Sequence, residues 1–153
     1  ADGDDYHLNH IFATRDGSLL IAAEAGNAYR SADRGASWES LDTGVSGSLW
    51  SGVGLRDGRA LLVGMSGRVL LGDSSGKRWR ELISGTVEAI TDVAQLADGR
   101  VALVGNGGLV ALSDTKVERF NASQREDRLN ISALAPLTEG HLLLFGAAGV
   151  IPQ

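Results

Sequence analysis

The sequence predicts an all-β fold, a β-propeller built on a 41-residue repeat. Three sets of markers carry that reading. Acid-glycine pairs stand at Asp16-Gly17, Asp57-Gly58, Asp98-Gly99 and Glu139-Gly140, each 41 residues from the last. A second glycine set, Gly26, Gly67, Gly108 and Gly149, keeps the same step, and so do the aromatics Trp38, Trp79 and Phe120. Independent markers that share one period with no insertion define a tandem array of one supersecondary unit.

Within the unit the pattern reads as four strands. Leu8 to Thr14 is an apolar strand ended by the Asp16-Gly17 turn. Leu19 to Ala23 is a second, with counterparts at Ala60 to Gly64, Val101 to Gly105 and Leu142 to Gly146. Continuous apolar runs of this length suit strands buried on both faces. A turn at Gly26 leads to a third strand, Ala28 to Ser31, and a fourth lies around Ser37 to Leu41. Acid-glycine and glycine-rich punctuation between such runs is hairpin chemistry, because glycine takes positive φ without steric cost. Four short antiparallel strands in a unit of this length make a propeller blade. A helical repeat would need apolar residues at 3.6 spacing and few glycines, and a β-helix a much shorter period.

The blades are expected over 8–43, 49–84, 90–125 and 131–153, in one partial propeller domain spanning 1–153. Three are complete. The fourth has its inner two strands, with Gly149 as the turn before a third strand that Val150 to Gln153 only begins. In period, Asp2-Gly3 falls where Thr43-Gly44 and Ser84-Gly85 stand, just after a fourth strand. Two arrangements follow. The chain is the C-terminal portion of a larger propeller of roughly six to eight blades, or two copies form a homodimer that completes one ring of about seven and leaves no open sheet edge.

Composition sets outer bounds. The 153 residues are 43% hydrophobic and 22% charged, with 21 glycines against two prolines. No stretch reaches the roughly 20 apolar residues of a membrane helix, so no membrane insertion is expected. No basic segment precedes an apolar one, so no signal peptide is expected within the chain. Cysteine is absent, which excludes disulfides and thiolate metal sites. A net charge of -5 argues against a nucleic-acid partner, which needs clustered Lys and Arg. The densest basic group, Lys77, Arg78 and Arg80, lies beside Glu81 and reads as a solvated face.

The loop before each fourth strand carries the most specific motif. Ser31, Asp33, Gly35 and Trp38 fit S-x-D-x-G-x-x-W at every specified position, the pattern called the Asp-box or BNR repeat. The second copy keeps Gly76 and Trp79 but has Ser74 where the acid belongs. The third keeps Ser113, with Phe120 in place of tryptophan. An aspartate in such a turn accepts hydrogen bonds from backbone N–H groups of its own loop, and glycine supplies the left-handed position. The tryptophans are expected to cover the hairpin and pack into a neighbouring layer. Trp50, outside that register, is expected in the core as well.

The short period, the Asp-box, and a G-x-x-G that closes the second strand (Gly64-Met65-Ser66-Gly67 and Gly105-Asn106-Gly107-Gly108) together define a resemblance. The chain resembles the photosystem II assembly/stability-factor-like group of BNR propellers, which includes many bacterial proteins. The likeness spans the whole chain and is strongest over residues 9–85. It implies a noncatalytic scaffold that binds a protein partner, serves the assembly or stability of a membrane or envelope complex, and resides in the periplasm or outside the cell. Asp-boxes also occur in sialidases and other glycoside hydrolases, so a hydrolase or carbohydrate-binding propeller is the competing class.

Catalytic chemistry has little support. His7, His10 and His141 fall at unrelated phases of the repeat with no metal-ligand spacing, so no metal is expected. Gly105-Asn106-Gly107-Gly108 leads into a strand and not a helix, which removes the dinucleotide reading, and no cofactor is expected. A sialidase needs a Tyr-Glu pair and an arginine cluster, whereas only Tyr6 and Tyr29 exist and most acids sit at repeated turns. Arg15 and Arg56 occupy equivalent places beside those turns, which suits a structural or surface role. Glu24 and Glu88 break apolar patterns and are expected at exposed strand ends. Asn121-Ala122-Ser123 and Asn130-Ile131-Ser132 match the glycosylation sequon, relevant only to a secreted eukaryotic chain.

Overall fold

A computed structural model describes residues 5–152; the Asp2-Gly3 correspondence and Gln153 lie outside the described residues. Its strands form four small antiparallel sheets arranged as propeller blades. Blade 1 contains β1 (Leu8–Ala13), β2 (Leu19–Ala23), β3 (Ala28–Ser31) and β4 (Glu39–Leu41). Blade 2 contains β5 (Leu49–Gly54), β6 (Ala60–Gly64), β7 (Val69–Gly72) and β8 (Trp79–Leu82). Blade 3 contains β9 (Ile90–Gln95), β10 (Val101–Gly105), β11 (Leu109–Ser113) and β12 (Phe120–Gln124). Blade 4 contains β13 (Ala133–Pro136), β14 (Leu142–Gly146) and β15 (Gly149–Ile151). In every blade the strands pair in chain order, and β1, β5, β9 and β13 lie side by side as the inner strands.

The continuous apolar runs of the second strands are divided between two interfaces. In β6, Leu61 and Val63 pack toward blade 3 while Leu62 packs toward blade 1. In β10, Val101 and Leu103 pack toward blade 2 while Ala102 and Val104 pack toward blade 4. Alternation with period 2 sends neighbours to opposite faces, and a blade covered on both sides needs apolar residues at every position. Each fully buried Leu or Val contributes about 1.5–3 kcal/mol relative to exposure, so the blade-to-blade contacts are the core.

The connections between blades are pinned to the turns that follow the second strands. Those turns are short 3-10 segments, Glu24–Gly26, Met65–Gly67 and Asn106–Gly108. Buried Thr43 donates its hydroxyl to the Gly26 carbonyl at 2.6 Å, and Ser84 does the same to Gly67 at 2.6 Å. In blade 3 the backbone N–H of Arg125 replaces the hydroxyl, at 2.9 Å from the Gly108 carbonyl. Glycine is required at Gly67 on two counts: φ is +70°, and a Cβ would stand 2.0 Å from the Thr86 carbonyl oxygen.

Blade 4 departs from the repeat, and here the reading of Gly149 as a turn residue is corrected. Gly149 is the first residue of β15, and Leu144 pairs with Ile151 where the period would pair it with Pro152. The repeat register would aim Pro152 at blade 3 in the position of Ala111, without an N–H to pair. A slip of one residue turns every side chain over, and it buries Ile151 beside Leu134 and Leu144. The fourth sheet therefore has three strands, one more than the two counted from sequence. Among the described residues no helix is long and apolar enough to cross a membrane.

Candidate functional site

The two ends of the blades differ in chemistry. One end carries the acid-glycine turns and the β3–β4, β7–β8 and β11–β12 loops, and its polar groups answer one another. Asp16 accepts from the Ser18 N–H at 2.9 Å and the Thr14 hydroxyl at 2.7 Å. Asp57 accepts from the Arg59 N–H at 3.0 Å and Nε at 2.8 Å, and Asp98 takes the same bonds from Arg100 at 3.0 and 2.8 Å. Gly17, Gly58 and Gly99 supply the positive φ of these turns. The fourth turn is built differently: Glu139 itself is left-handed at φ 62° within a 3-10 segment, Thr138–Gly140.

In the first motif loop Asp33 accepts from the Ser37 N–H at 2.8 Å and hydroxyl at 2.5 Å and from the Ser31 hydroxyl at 2.8 Å. The Ser37 hydroxyl, then its N–H, then Ser31 lower the Asp33 carboxyl from 3.8 to about 2. Gly35 closes this loop with its N–H on Ser31 at 2.8 Å. The second and third copies keep an acid that alignment by period overlooks, displaced one position toward the N-terminus. Asp114 accepts from the Glu118 N–H at 2.9 Å, the same four-residue reach as Asp33 to Ser37, whereas Asp73 accepts from the Ser75 N–H, two residues on, at 3.0 Å. Gly76 and, in its place, Val117 adopt positive φ of 70° and 58°. Ser113 is buried and accepts from the Val101 N–H at 2.8 Å.

The aromatics separate. Trp79 lies across Gly72 and packs into the blade 1–blade 2 cluster, and Phe120 packs into the blade 2–blade 3 cluster. Trp38 does not pack into a neighbouring layer; it is 40% exposed. Trp50 is also outside the core, at 41% exposure, because it sits on a β-bulge at the start of β5. Arg15 and Arg56 form straps between blades at the acid-glycine end. Arg15 donates to the Arg56 carbonyl at 2.7 Å, and Arg56 to the Leu96 and Ala97 carbonyls at 2.5 and 3.1 Å. Lys77–Glu39 and Arg80–Glu118 pairs at 3.5 and 2.6 Å also cross blade boundaries there. Apart from Trp38 and Leu137, the latter 50% exposed beside the Glu139 turn, this end is a polar surface bonded largely within itself.

The opposite end, formed by the interblade connections and the 3-10 turns, is apolar where it should be polar. The connection from β8 to β9 exposes Ile83 at 87% and Val87 at 84%, and Met65 on the adjacent 3-10 turn is 44% exposed. Between blades 2 and 3 this end opens into a groove of about 890 Å³, floored by Leu82 and Leu109 and walled by Ser84, Thr86, Glu88 and Gln124. Connections are polar by default, so two large apolar side chains this exposed on the rim of one groove depart from the ordinary pattern. Period analysis missed this because Ile83 and Val87 align with Asp42 and Ser46 and keep no repeat signal.

Titratable groups are dispersed. Glu24 holds His7 through Nδ1 at 3.1 Å and the His7 N–H at 3.2 Å, which ties β1 to the first 3-10 turn. Glu88 is half-buried at the groove, 3.5 Å from the Gln124 amide. His10 stacks on Phe12 with ring centroids 5.9 Å apart. Among the described residues no three His, Cys, Asp or Glu side chains gather as a metal-binding group.

This geometry defines the class as a β-propeller, and solved structures agree on the fold. YCF48 bound to D1 peptide superposes with a TM-score of 0.69 at 19% identity, over 95% of this chain and 48% of that one. YCF48 from Cyanidioschyzon merolae gives 0.66 at 16% identity, over 94% and 50%. A catalytically inactive virginiamycin B lyase from Staphylococcus aureus, solved with quinupristin, gives 0.81 at 12% identity, over 94% and 50%. The chain thus spans about half the length of each. No protein-family model matches it, and no curated protein matches it.

Proposed function

We propose that the chain is a noncatalytic docking module that holds a protein partner against the end formed by the interblade connections. The observation that carries this reading is the pair of exposed apolar residues Ile83 and Val87 on the groove between blades 2 and 3. Exposed apolar groups rimmed by polar ones are the mark of a protein contact. The motif loops at the other end are proposed as Asp-box turns of the BNR kind, with Asp33, Asp73 and Asp114 as loop caps. The likeness to YCF48 bound to D1 peptide supports a partner presented as a peptide segment. Within this reading the role is assembly or stability support for a membrane or envelope complex, in the periplasm or outside the cell.

The test is a capture experiment with wild type and an I83D/V87D variant. A partner retained by wild type and weakened at least tenfold by the variant supports docking at this end. Equal retention by both defeats it. Glycan hydrolysis or glycan binding by the wild type, with no protein retained, would move the chain to the carbohydrate class.

A further inference from the structure

The groove between blades 2 and 3 has a twin inside the molecule, and the difference between the two points to the chemistry of its occupant. Residues 42–48 connect blades 1 and 2 as residues 83–89 connect blades 2 and 3. The two connections match position by position. Thr43 and Ser84 are buried, residues 42, 44 and 46 are exposed like 83, 85 and 87, and 45 and 47 are half-buried like 86 and 88. Gly44 and Gly85 take the same left-handed turn at φ 72° and 79°, and Thr43 and Ser84 make the same 2.6 Å bond to the preceding 3-10 turn. The backbone and its supports are therefore shared, and the fold leaves the exposed positions free. The first connection has Asp42, Ser46 and Gly47 there; the second has Ile83, Val87 and Glu88. The hollow at the first is about 460 Å³, and the groove at the second about 890 Å³.

Glu88 adds charge to the two apolar changes. The Thr86 hydroxyl accepts from its backbone N–H at 3.0 Å and fixes the turn that carries it. Its carboxylate has one long bond, from the Gln124 amide at 3.5 Å, and among the described residues it makes no ion pair. Glu81, the other acid on the groove, is held by Arg68 at 2.9 Å. Among the described residues no Lys or Arg lines the groove, and Arg128, beyond Gln124, donates to the Gln124 amide oxygen. A half-buried carboxylate without a counter-ion, beside apolar surface, complements a cation carried on an apolar stem. We propose, on the basis of the docking reading above, that the groove takes a segment of a partner protein in which Lys or Arg stands beside large apolar residues. The cation pairs with Glu88, and the apolar residues cover Ile83 and Val87. An anionic segment is turned away, because its charge would face Glu88 with no cation between them.

Selection from a random peptide display library on the whole chain tests this, with the affinity of enriched peptides measured by fluorescence anisotropy. Wild type is expected to enrich Lys or Arg beside Leu, Ile, Phe or Trp. Glu88→Lys is expected to weaken those peptides by about tenfold or more and, in its own selection, to enrich Asp or Glu in place of the cation. Added salt is expected to weaken binding to wild type more than to Glu88→Gln. I83D/V87S gives this groove the Asp42 and Ser46 of its twin, and Gly47 stands where Glu88 does, so all these variants are expected to keep the wild-type circular dichroism. Peptides that bind I83D/V87S as tightly as wild type would remove the docking reading and this proposal with it. Peptides lost on I83D/V87S that carry no Lys or Arg, or that bind Glu88→Lys undiminished, would overturn this proposal and leave docking intact. No enrichment by wild type would overturn it too.

Discussion

At the residue scale, the repeat is enforced by backbone conformations that few side chains tolerate. Gly67 combines φ +70° with a Cβ position 2.0 Å from the Thr86 carbonyl. Gly67→Ala is therefore expected to lower stability by about 2 kcal/mol or more, from left-handed strain and displacement of the interblade connection; urea unfolding measures it. The loop caps set acid sensitivity. A carboxyl lowered from 3.8 to about 2 in the folded chain adds stability that is complete above the ordinary value and is lost as pH falls toward 2. Asp73 and Asp114 shift in the same direction, led by the Ser75 hydroxyl and the Glu118 N–H respectively. The melting-temperature gap between wild type and Asp33→Asn should thus be largest near neutrality and vanish only below about pH 2. A gap that persists there would show that Asp33 acts through something other than its charge. The Asp33 carboxylate was legible in the motif; Asp73 and Asp114 were not, because a carboxylate cap depends on reaching an N–H and tolerates a one-residue shift that alignment by period scores as loss.

At the element scale, the second strands were legible to the residue, since a strand covered on both faces carries an unbroken apolar run with sharp ends. The third-strand register in blade 4 was not legible. It depends on a choice between Ile151 and Pro152 for one buried position, which is a matter of packing and N–H pairing and leaves no periodic trace. The pins between blades were visible only as a Thr43/Ser84 coincidence in period, without their acceptors. Ser84→Ala removes a buried hydroxyl that bonds the Gly67 carbonyl at 2.6 Å, and is expected to cost about 1 kcal/mol. Leu62→Ala, at a fully buried site in the blade 1–blade 2 contact, is expected to cost about 2–5 kcal/mol by chemical denaturation. If the two changes proved equal, the interblade apolar contact would not be the principal source of stability.

At the scale of the whole molecule, the ends of the blades divide the labour. The acid-glycine end closes on itself through turns, ion pairs and arginine straps, and the fold reading absorbs nearly all of its charged residues. The connection end holds the features that break the repeat: Ile83, Val87, Met65 and the bulged Trp50. Their departure from period made them invisible to repeat analysis, and it is also what a partner-specific surface requires, since contacts common to every blade would distinguish none. The most direct measurement is amide hydrogen exchange of the chain with and without its captured partner. Slowed exchange confined to residues 65–67, 83–88 and 122–124 is the predicted result. Slowed exchange at the loops around 33–37, 73–78 and 114–119, with none at the groove, would contradict the account.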